Sequence, residues 1–355
     1  MKIAAFLAGA AAVAAVDPPT PPHWVYARHK GGSSDDAAQK ATWGAWGAVC
    51  PIGRLQSPIN IVTDEAAAWE RLAGAIVPSF APSALVCNNS GHAFQAGFVK
   101  GAKEAVTMLR GNEEFKFVQV HFHTPSEHTL NGKHTAMEGH FVHASTDPTT
   151  APGLAVIGIF FELQDECNPV LEQFWKEFPI DGTIGPSKDA KPTGDVDFME
   201  LLTPALATGY YHYTGSLTTP PCTEGVDWNL AKGALGVCQA QVDRLKAGIA
   251  SVQEGVDINN RAVQELHQRD VTMTPPQAMP NLLVRGELAA PRQPVARLRM
   301  GGGSRGFMLS AIALGTLAVG SILISKRGSG GGIKLDVGGE DDHVYVPWYA
   351  RGSAA

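Results

Sequence analysis

A mainly β domain with peripheral helices, its sheet mostly antiparallel, followed by one C-terminal transmembrane helix, is the architecture the sequence predicts. Three observations carry that expectation. Residues 115–123 (FKFVQVHFH) contain the alternation of a half-buried strand. Turn signals recur at Asn131-Gly132, Asp181-Gly182 and Pro220-Pro221. Residues 306–325 (GFMLSAIALGTLAVGSILIS) form a run without a charge. At about 1.5 Å rise per residue that run spans about 30 Å, the hydrocarbon thickness of a bilayer.

Taken in order, the chain opens with Lys2 and an apolar, small-residue run from Ile3 to Val16, just ahead of Asp17 and the proline-rich residues 18–22. That pattern reads as a secretory signal peptide over 1–16. The globular body occupies 17–281. Its strands are expected at 115–123, 137–144 and 154–163, the last apolar enough to be central. Helical patterns are short, as at 168–178 and 239–247. Residues 282–305, rich in Arg, Pro and Gly, read as a stalk, 306–325 as the span, and 326–355 as a short cytoplasmic tail. Arg292, Arg297, Arg299 and Arg305 precede the span, and Lys326, Arg327 and Lys334 follow it, so the basic-residue rule does not orient it. The signal peptide does, because a large domain behind it is translocated largely regardless of charge. A glycolipid-anchor signal would end at its hydrophobic tail, whereas polar and aromatic residues follow here. A net charge of −6 over 355 residues leaves no basic stripe for nucleic acid. Five cysteines suit an oxidising compartment, and the odd count leaves at least one thiol free.

The chemistry lies in three histidines. On a strand, His121 and His123 share a face, so both rings can address one atom. His140 lies within the strand expected at 137–144, and a hairpin through Asn131-Gly132 brings it beside them. Three neutral imidazoles suit zinc and leave a fourth tetrahedral position open, the mark of a catalytic site. Gln119 stands two residues before His121 and Glu138 two before His140. Each is placed to accept a ring N–H and orient its ligand.

At these residues the chain resembles the α-type carbonic anhydrases. The likeness runs through Gln119-x-His121-Phe122-His123, Ser126-Glu127-His128-Thr129 and Met137-Glu138-Gly139-His140-Phe141-Val142-His143. It extends in family order through Trp24-x-Tyr26, Gln56-Ser57-Pro58-Ile59-Asn60, residues 88–94 (NNSGHAF), 153–160 (GLAVIGIF) and 213–221 (YTGSLTTPP), then Glu224, Trp228, Asn259-Asn260-Arg261 and Gln264. It covers nearly the whole body, from about residue 23 to 271.

The resemblance implies a large, twisted, mostly antiparallel sheet with Zn2+ on His121, His123 and His140 at the base of a conical cleft. It implies reversible hydration of CO2 to bicarbonate and a proton, by attack of a zinc-bound hydroxide. Thr218 accepts the hydroxide proton and donates its own to Glu127, and Thr219 lies beside it. Val142, Val156, Leu217 and Trp228 form the apolar CO2 wall. His92 is the proton shuttle, with Tyr26, Ser90 and Gln95 ordering the connecting water. Ser90, Tyr211 and Ala262 depart from residues common in the family. Cys50 and Cys222 occupy the positions that secreted relatives bridge, while Cys87, Cys167 and Cys238 have no assigned partner. Catalytically silent relatives lack one or more zinc histidines, whereas all three stand here with Glu127 and Thr218. No pocket for an acyl or peptide substrate is legible. An enzyme anchored at a plasma membrane, or at an internal or plastid membrane, is suited to supply a bicarbonate transporter.

Overall fold

The computed structural model describes Trp24, Tyr26 and residues 36–275, apart from 46–48, 69–74, 100–106, 148, 150–152 and 188–189. The expected signal peptide, stalk, span and tail lie outside the described residues. Among the described residues no helix is long and apolar enough to cross a membrane.

The strands in chain order are β1 (Asn60–Ile61), β2 (Ala67–Ala68), β3 (Ile76–Pro78), β4 (Ser83–Asn89), β5 (Phe94–Phe98), β6 (Met108–Arg110), β7 (Glu113–His123) and β8 (Thr129–Leu130). They continue with β9 (Met137–Ser145), β10 (Leu154–Leu163), β11 (Asp195–Val196), β12 (Tyr210–Ser216), β13 (Glu224–Ala231), β14 (Leu235–Val237) and β15 (Thr272–Met273). The main sheet has 13 strands and runs β11-β4-β5-β7-β9-β10-β13-β12-β15-β2, with β14 beside β10 and β6 bridging β3 and β7. Most pairings are antiparallel, but the sheet is mixed. Strand β10 pairs in parallel with β13 and β14, and β15 with β2.

Strands β9 and β10 are buried along almost their whole length because both sheet faces are covered there. On one face lies the larger apolar cluster, with Met137, Phe141, Ile157, Ile159 and Phe161 from these strands. The helix α4 (Gln239–Val252) adds Val242, Leu245 and Ile249 to it. On the other face Val142, Val156, Phe160, Trp228 and Leu230 form a second cluster.

Strand β7 carries a bulge between Phe117 and Gln119, and it decides what the strand presents. Uninterrupted alternation would put Phe115, Phe117, Gln119, His121 and His123 on one face. The extra residue, Val118, shifts the parity. Phe115 and Phe117 therefore join the larger cluster together with Val120 and Phe122, and the histidines face the opposite side. Beyond the bulge His121 lies directly opposite His140 on β9.

The Asn131-Gly132 turn forms, with both residues at positive φ (50° and 78°). It closes only the small Leu130/Lys133 bridge inside a longer β7–β9 connection, so it does not itself set the β7–β9 register. Two helices that the pattern did not signal are α1 (Asp36–Trp43) and α3 (Met199–Leu206). The expected 168–178 helix is broken into α2 (Pro169–Glu172), capped by Asn168, and a 3-10 turn at Trp175–Glu177. Helix α4 runs past the expected end at 247 to Val252.

Cys50 and Cys222 are bonded, the pairing the resemblance implied. Cys167 and Cys238, which had no assigned partner, are bonded as well. The buried Cys87 is left free, and burial pushes its thiol up to about 12.

Candidate metal centre

Three ring nitrogens converge where β7 meets β9. His121 Nε2 lies 3.2 Å from His140 Nδ1, and the ring centroids of the three histidines are 4.6–5.0 Å apart. Each ring is held from behind. His121 Nδ1 donates to Gln119 Oε1 (2.9 Å), and His140 Nε2 to Glu138 Oε1 (2.7 Å). His123 Nδ1 donates to the backbone carbonyl of Asn259 (2.7 Å). A nitrogen that donates carries the hydrogen, so the other nitrogen of each ring presents a lone pair. Three lone pairs therefore face one another in a buried site, and His123 Nε2 has no partner at all. A cation resolves that arrangement. Tetrahedral zinc with Zn–N near 2.0–2.1 Å needs ligand nitrogens about 3.3 Å apart, as the His121–His140 pair already is.

Electrostatics favours neutral rings at His121 and His123. Burial, then the neighbouring His123 and His140, holds His121 well below the usual histidine range. Burial lowers His123 too, against an upward pull from Glu127. Glu138 stays ionised. Burial alone would raise its pKa, but the electrostatic pull of His128 and His140 and their hydrogen bonds to it hold it well below the usual carboxylate range. It also accepts the His128 N–H (2.8 Å) and lies 2.7 Å from His128 Nδ1. The chain continues from His128 Nε2 to Tyr213 Oη (2.6 Å) and Ser57 Oγ (2.7 Å). His128, Glu138 and His140 also group closely enough to suggest a second metal cluster, but their facing atoms are already hydrogen-bonded to one another. Gly158 sits opposite His140 on β10. A Cβ there would strike Leu230 and approach Glu138 Oε1 to 3.4 Å.

The other expected site residues fall around this centre. Glu127 is fully buried, 3.6 Å from His123 Nδ1 and 3.9 Å from His140 Nδ1. Its Oε1 accepts the Arg261 N–H (2.9 Å), and its Oε2 has no partner. Thr218 is buried and Thr219 half-buried in the loop after β12. Among the described residues no hydrogen bond joins Thr218 to Glu127. Val142, Val156 and Trp228 stand in register on β9, β10 and β13, with Leu217 packed against the same cluster. The Trp228 ring contacts His140 at a 4.8 Å centroid distance.

Gln95 pairs with His121 across β5 and β7. Tyr26 is buried, its hydroxyl without a partner, and burial and the Glu127 charge push its phenol well up against the opposing Arg261 charge. His92 stacks on Trp24 at 3.6 Å with rings 6° from parallel. Ser90 departs from expectation. Its hydroxyl donates to the Ala93 carbonyl (3.1 Å) and accepts the N–H groups of His92 (3.3 Å) and Ala93 (3.0 Å). It is consumed by the turn that carries His92, which leaves nothing for ordering water.

Sequence reasoning quoted Asn259, Arg261, His128 and Tyr213 only as parts of matching motifs. The Asn259 contact is made by its backbone carbonyl, which no residue type announces.

The model of the eukaryotic-type carbonic anhydrases matches residues 38–275, the segment that builds this centre. The chain belongs to that family. It is 34% identical over 229 residues to carbonic anhydrase Nec1 of Nesocodon mauritianus, covering 64% of this chain and 77% of that one. It is 33% identical over 255 residues to the carbonic anhydrase of Neisseria gonorrhoeae, covering 70% and 87%. Among solved structures, the α-carbonic anhydrase of Thermovibrio ammonificans in complex with sulfanilamide superposes with a TM-score of 0.56 at 33% identity, covering 67% of this chain and 96% of that one. The chain is thus a carbonic anhydrase, an enzyme of CO2 and bicarbonate, and its three-histidine cluster is the part of the carbonic anhydrase fold suited to a metal.

Proposed function

We propose that this carbonic anhydrase hydrates CO2 reversibly with zinc held by His121, His123 and His140, and releases the proton through His92. The observation that carries the reading is the trio of inward lone pairs, each fixed by an acceptor behind its ring. Zinc, when bound, lowers the pKa of water toward neutrality and so supplies a nucleophile for CO2.

The chain's own residues do the rest. The apolar wall of Val142, Val156, Leu217 and Trp228 suits a substrate without a net dipole and excludes water beside it. Glu127 Oε2, buried and unpaired, is the acceptor left open for the Thr218 hydroxyl. Thr218 then offers its own lone pair to the attacking water. An imidazole with a pKa near neutrality can take a proton and return it to solvent, and His92 is half-buried beside Tyr26 and Trp24.

Stopped-flow CO2 hydration by the oxidised full chain, with metal content measured on the same sample, tests this. One zinc per chain with rapid hydration is expected. Folded protein that takes up no zinc overturns the site, and zinc uptake without hydration overturns the reaction. His92→Ala is expected to slow turnover in weak buffer while zinc content holds, with imidazole buffer restoring part of the rate.

We propose also that residues 1–16 direct secretion and that 306–325 anchor the enzyme with its catalytic domain outside the cytoplasm. The uncharged run supports the anchor, and the leader pattern of residues 1–16 supports its orientation. The full chain is expected to stay with membranes under alkaline extraction. A variant lacking 306–325 is expected in the soluble fraction, and its retention on membranes would refute the anchor.

A further inference from the structure

Helix α4 ends at Val252, and the next residue, Gln253, is 2% exposed although its side chain ends in a polar amide. Its Oε1 accepts the backbone N–H of Tyr26 (3.3 Å). Its Nε2 donates to the backbone carbonyl of Gly91 (2.8 Å) and lies 3.3 Å from His92 Nδ1. A glutamine amide can usually be turned end for end. Here each backbone partner admits one role only, since an N–H cannot accept and a carbonyl cannot donate. The amide nitrogen therefore faces His92, and it can only donate. His92 Nδ1 must be the acceptor, which places the ring proton on Nε2.

We infer that Gln253 is the positioning residue of the His92 shuttle: it selects the neutral Nε2–H tautomer of the stacked ring, so that the proton is taken up at Nδ1, the nitrogen that must first leave Gln253, and is released as that contact re-forms. The inference rests on the shuttle reading above.

The other contacts described at His92 do not select the tautomer. Ser90 holds the His92 N–H and Asn259 Nδ2 donates to the His92 carbonyl (3.0 Å), so both fix the backbone and leave the tautomer open. The Trp24 face attracts a cation if anything, so it does not favour the neutral ring. Tyr26 stands edge-on at 6.4 Å, and its phenol, pushed well up, adds no charge. An imidazolium carries N–H groups on both nitrogens and would set one against the Gln253 amide. The charged ring must therefore leave that contact, and protonation and movement of the shuttle are coupled at one hydrogen bond.

The test is 15N spectroscopy of the full chain labelled at histidine, with the His92 signals assigned by their loss in His92→Gln. Neutral His92 is expected to show an unprotonated Nδ1 and a protonated Nε2. Gln253→Glu replaces the donor by an acceptor of the same shape, and the proton is expected to move to Nδ1. In weak buffer the same variant is expected to lose about tenfold in kcat, within the 10²-fold or more that a positioned proton-transfer group contributes. Its kcat/KM should hold, because proton export follows the CO2 step. A wild-type ring protonated at Nδ1, or an unchanged pattern in Gln253→Glu, overturns the inference without any variant enzyme having to be active. A moved proton with unaltered kcat also overturns it if His92→Ala slows turnover. If His92→Ala leaves weak-buffer turnover intact, the shuttle reading itself falls.

Discussion

The two disulfides close loops of similar entropic weight yet hold different things, and separating them tests how the site is supported. Cys50–Cys222 joins positions 172 residues apart and Cys167–Cys238 positions 71 apart. Loop-closure entropy makes these worth about 5 and about 4 kcal/mol at 25 °C, a difference too small to rank them. Their surroundings differ far more. Cys222 sits at φ 58°, a conformation costing a non-glycine residue about 1–2 kcal/mol. Its N–H donates to the Thr219 carbonyl (2.8 Å), and its carbonyl accepts from Gln56 Nε2 (3.1 Å). The Cys50 carbonyl accepts from Arg261 Nη2 (3.1 Å), and the Arg261 N–H binds Glu127. This bridge thus braces the Thr218–Thr219 loop and the carboxylate beneath it. Cys167–Cys238 joins the starts of α2 and α4, where Gln241 already exchanges two hydrogen bonds with the Asn168 backbone (2.9 and 3.0 Å). Paired substitutions to alanine, C50A/C222A and C167A/C238A, are expected each to lower unfolding free energy by several kcal/mol, read from urea midpoints by circular dichroism. At a temperature where both remain folded, only C50A/C222A is expected to lose CO2 hydration. Equal loss of activity in both, or full activity in C50A/C222A, would refute the reasoning.

Three further outcomes follow from the geometry. Removing the Glu138 charge with Glu138→Gln is expected to weaken zinc binding by about 10–100-fold in chelator competition, because His140 loses its ionic acceptor; unchanged affinity would count against that orientation. Gly158→Ala drives a methyl into Leu230 and toward Glu138 and is expected to cost about 1–3 kcal/mol of stability. Wild-type stability would show that the sheet yields there. Burial holds His143 down at about 4, with the Phe141 and Ala155 carbonyls opposing only in part, against an ordinary value of 6.5. The unfolded chain therefore binds this proton first, so its contribution is complete above about pH 6.5 and is lost as pH falls toward 4. The gap corresponds to about 3 kcal/mol. His143→Phe should flatten that part of the stability profile, and an unaltered slope would assign the acid loss elsewhere.

Much of the centre was legible because its signals are local. The two-residue period puts His121 and His123 on one face whatever the rest of the chain does, and the run at 154–163 is too apolar for anything but an inner strand. Gln119 and Glu138 follow from the same period, and both are found behind their histidines. The resemblance supplied the Cys50–Cys222 pairing, which spacing alone left open. The simple alternation read over 115–123 was misleading in one respect. It would have placed Phe115 and Phe117 with the histidines, and only the bulge at Val118 separates them.

What the sequence by itself determined is therefore the chemistry and the strand faces: three imidazoles at sheet spacing, their side-chain acceptors and the family. What tertiary structure alone decided is register, the contacts made by backbone atoms and which distant side chains meet. The Asn259 carbonyl reaches His123 across 136 residues, Gln253 reaches His92 across 161, and Cys167 finds Cys238 across 71. The physical reason is that a side chain's type fixes what it can bond, while every residue carries the same backbone donor and acceptor. Which of those groups arrives at a given ring depends on the fold as a whole.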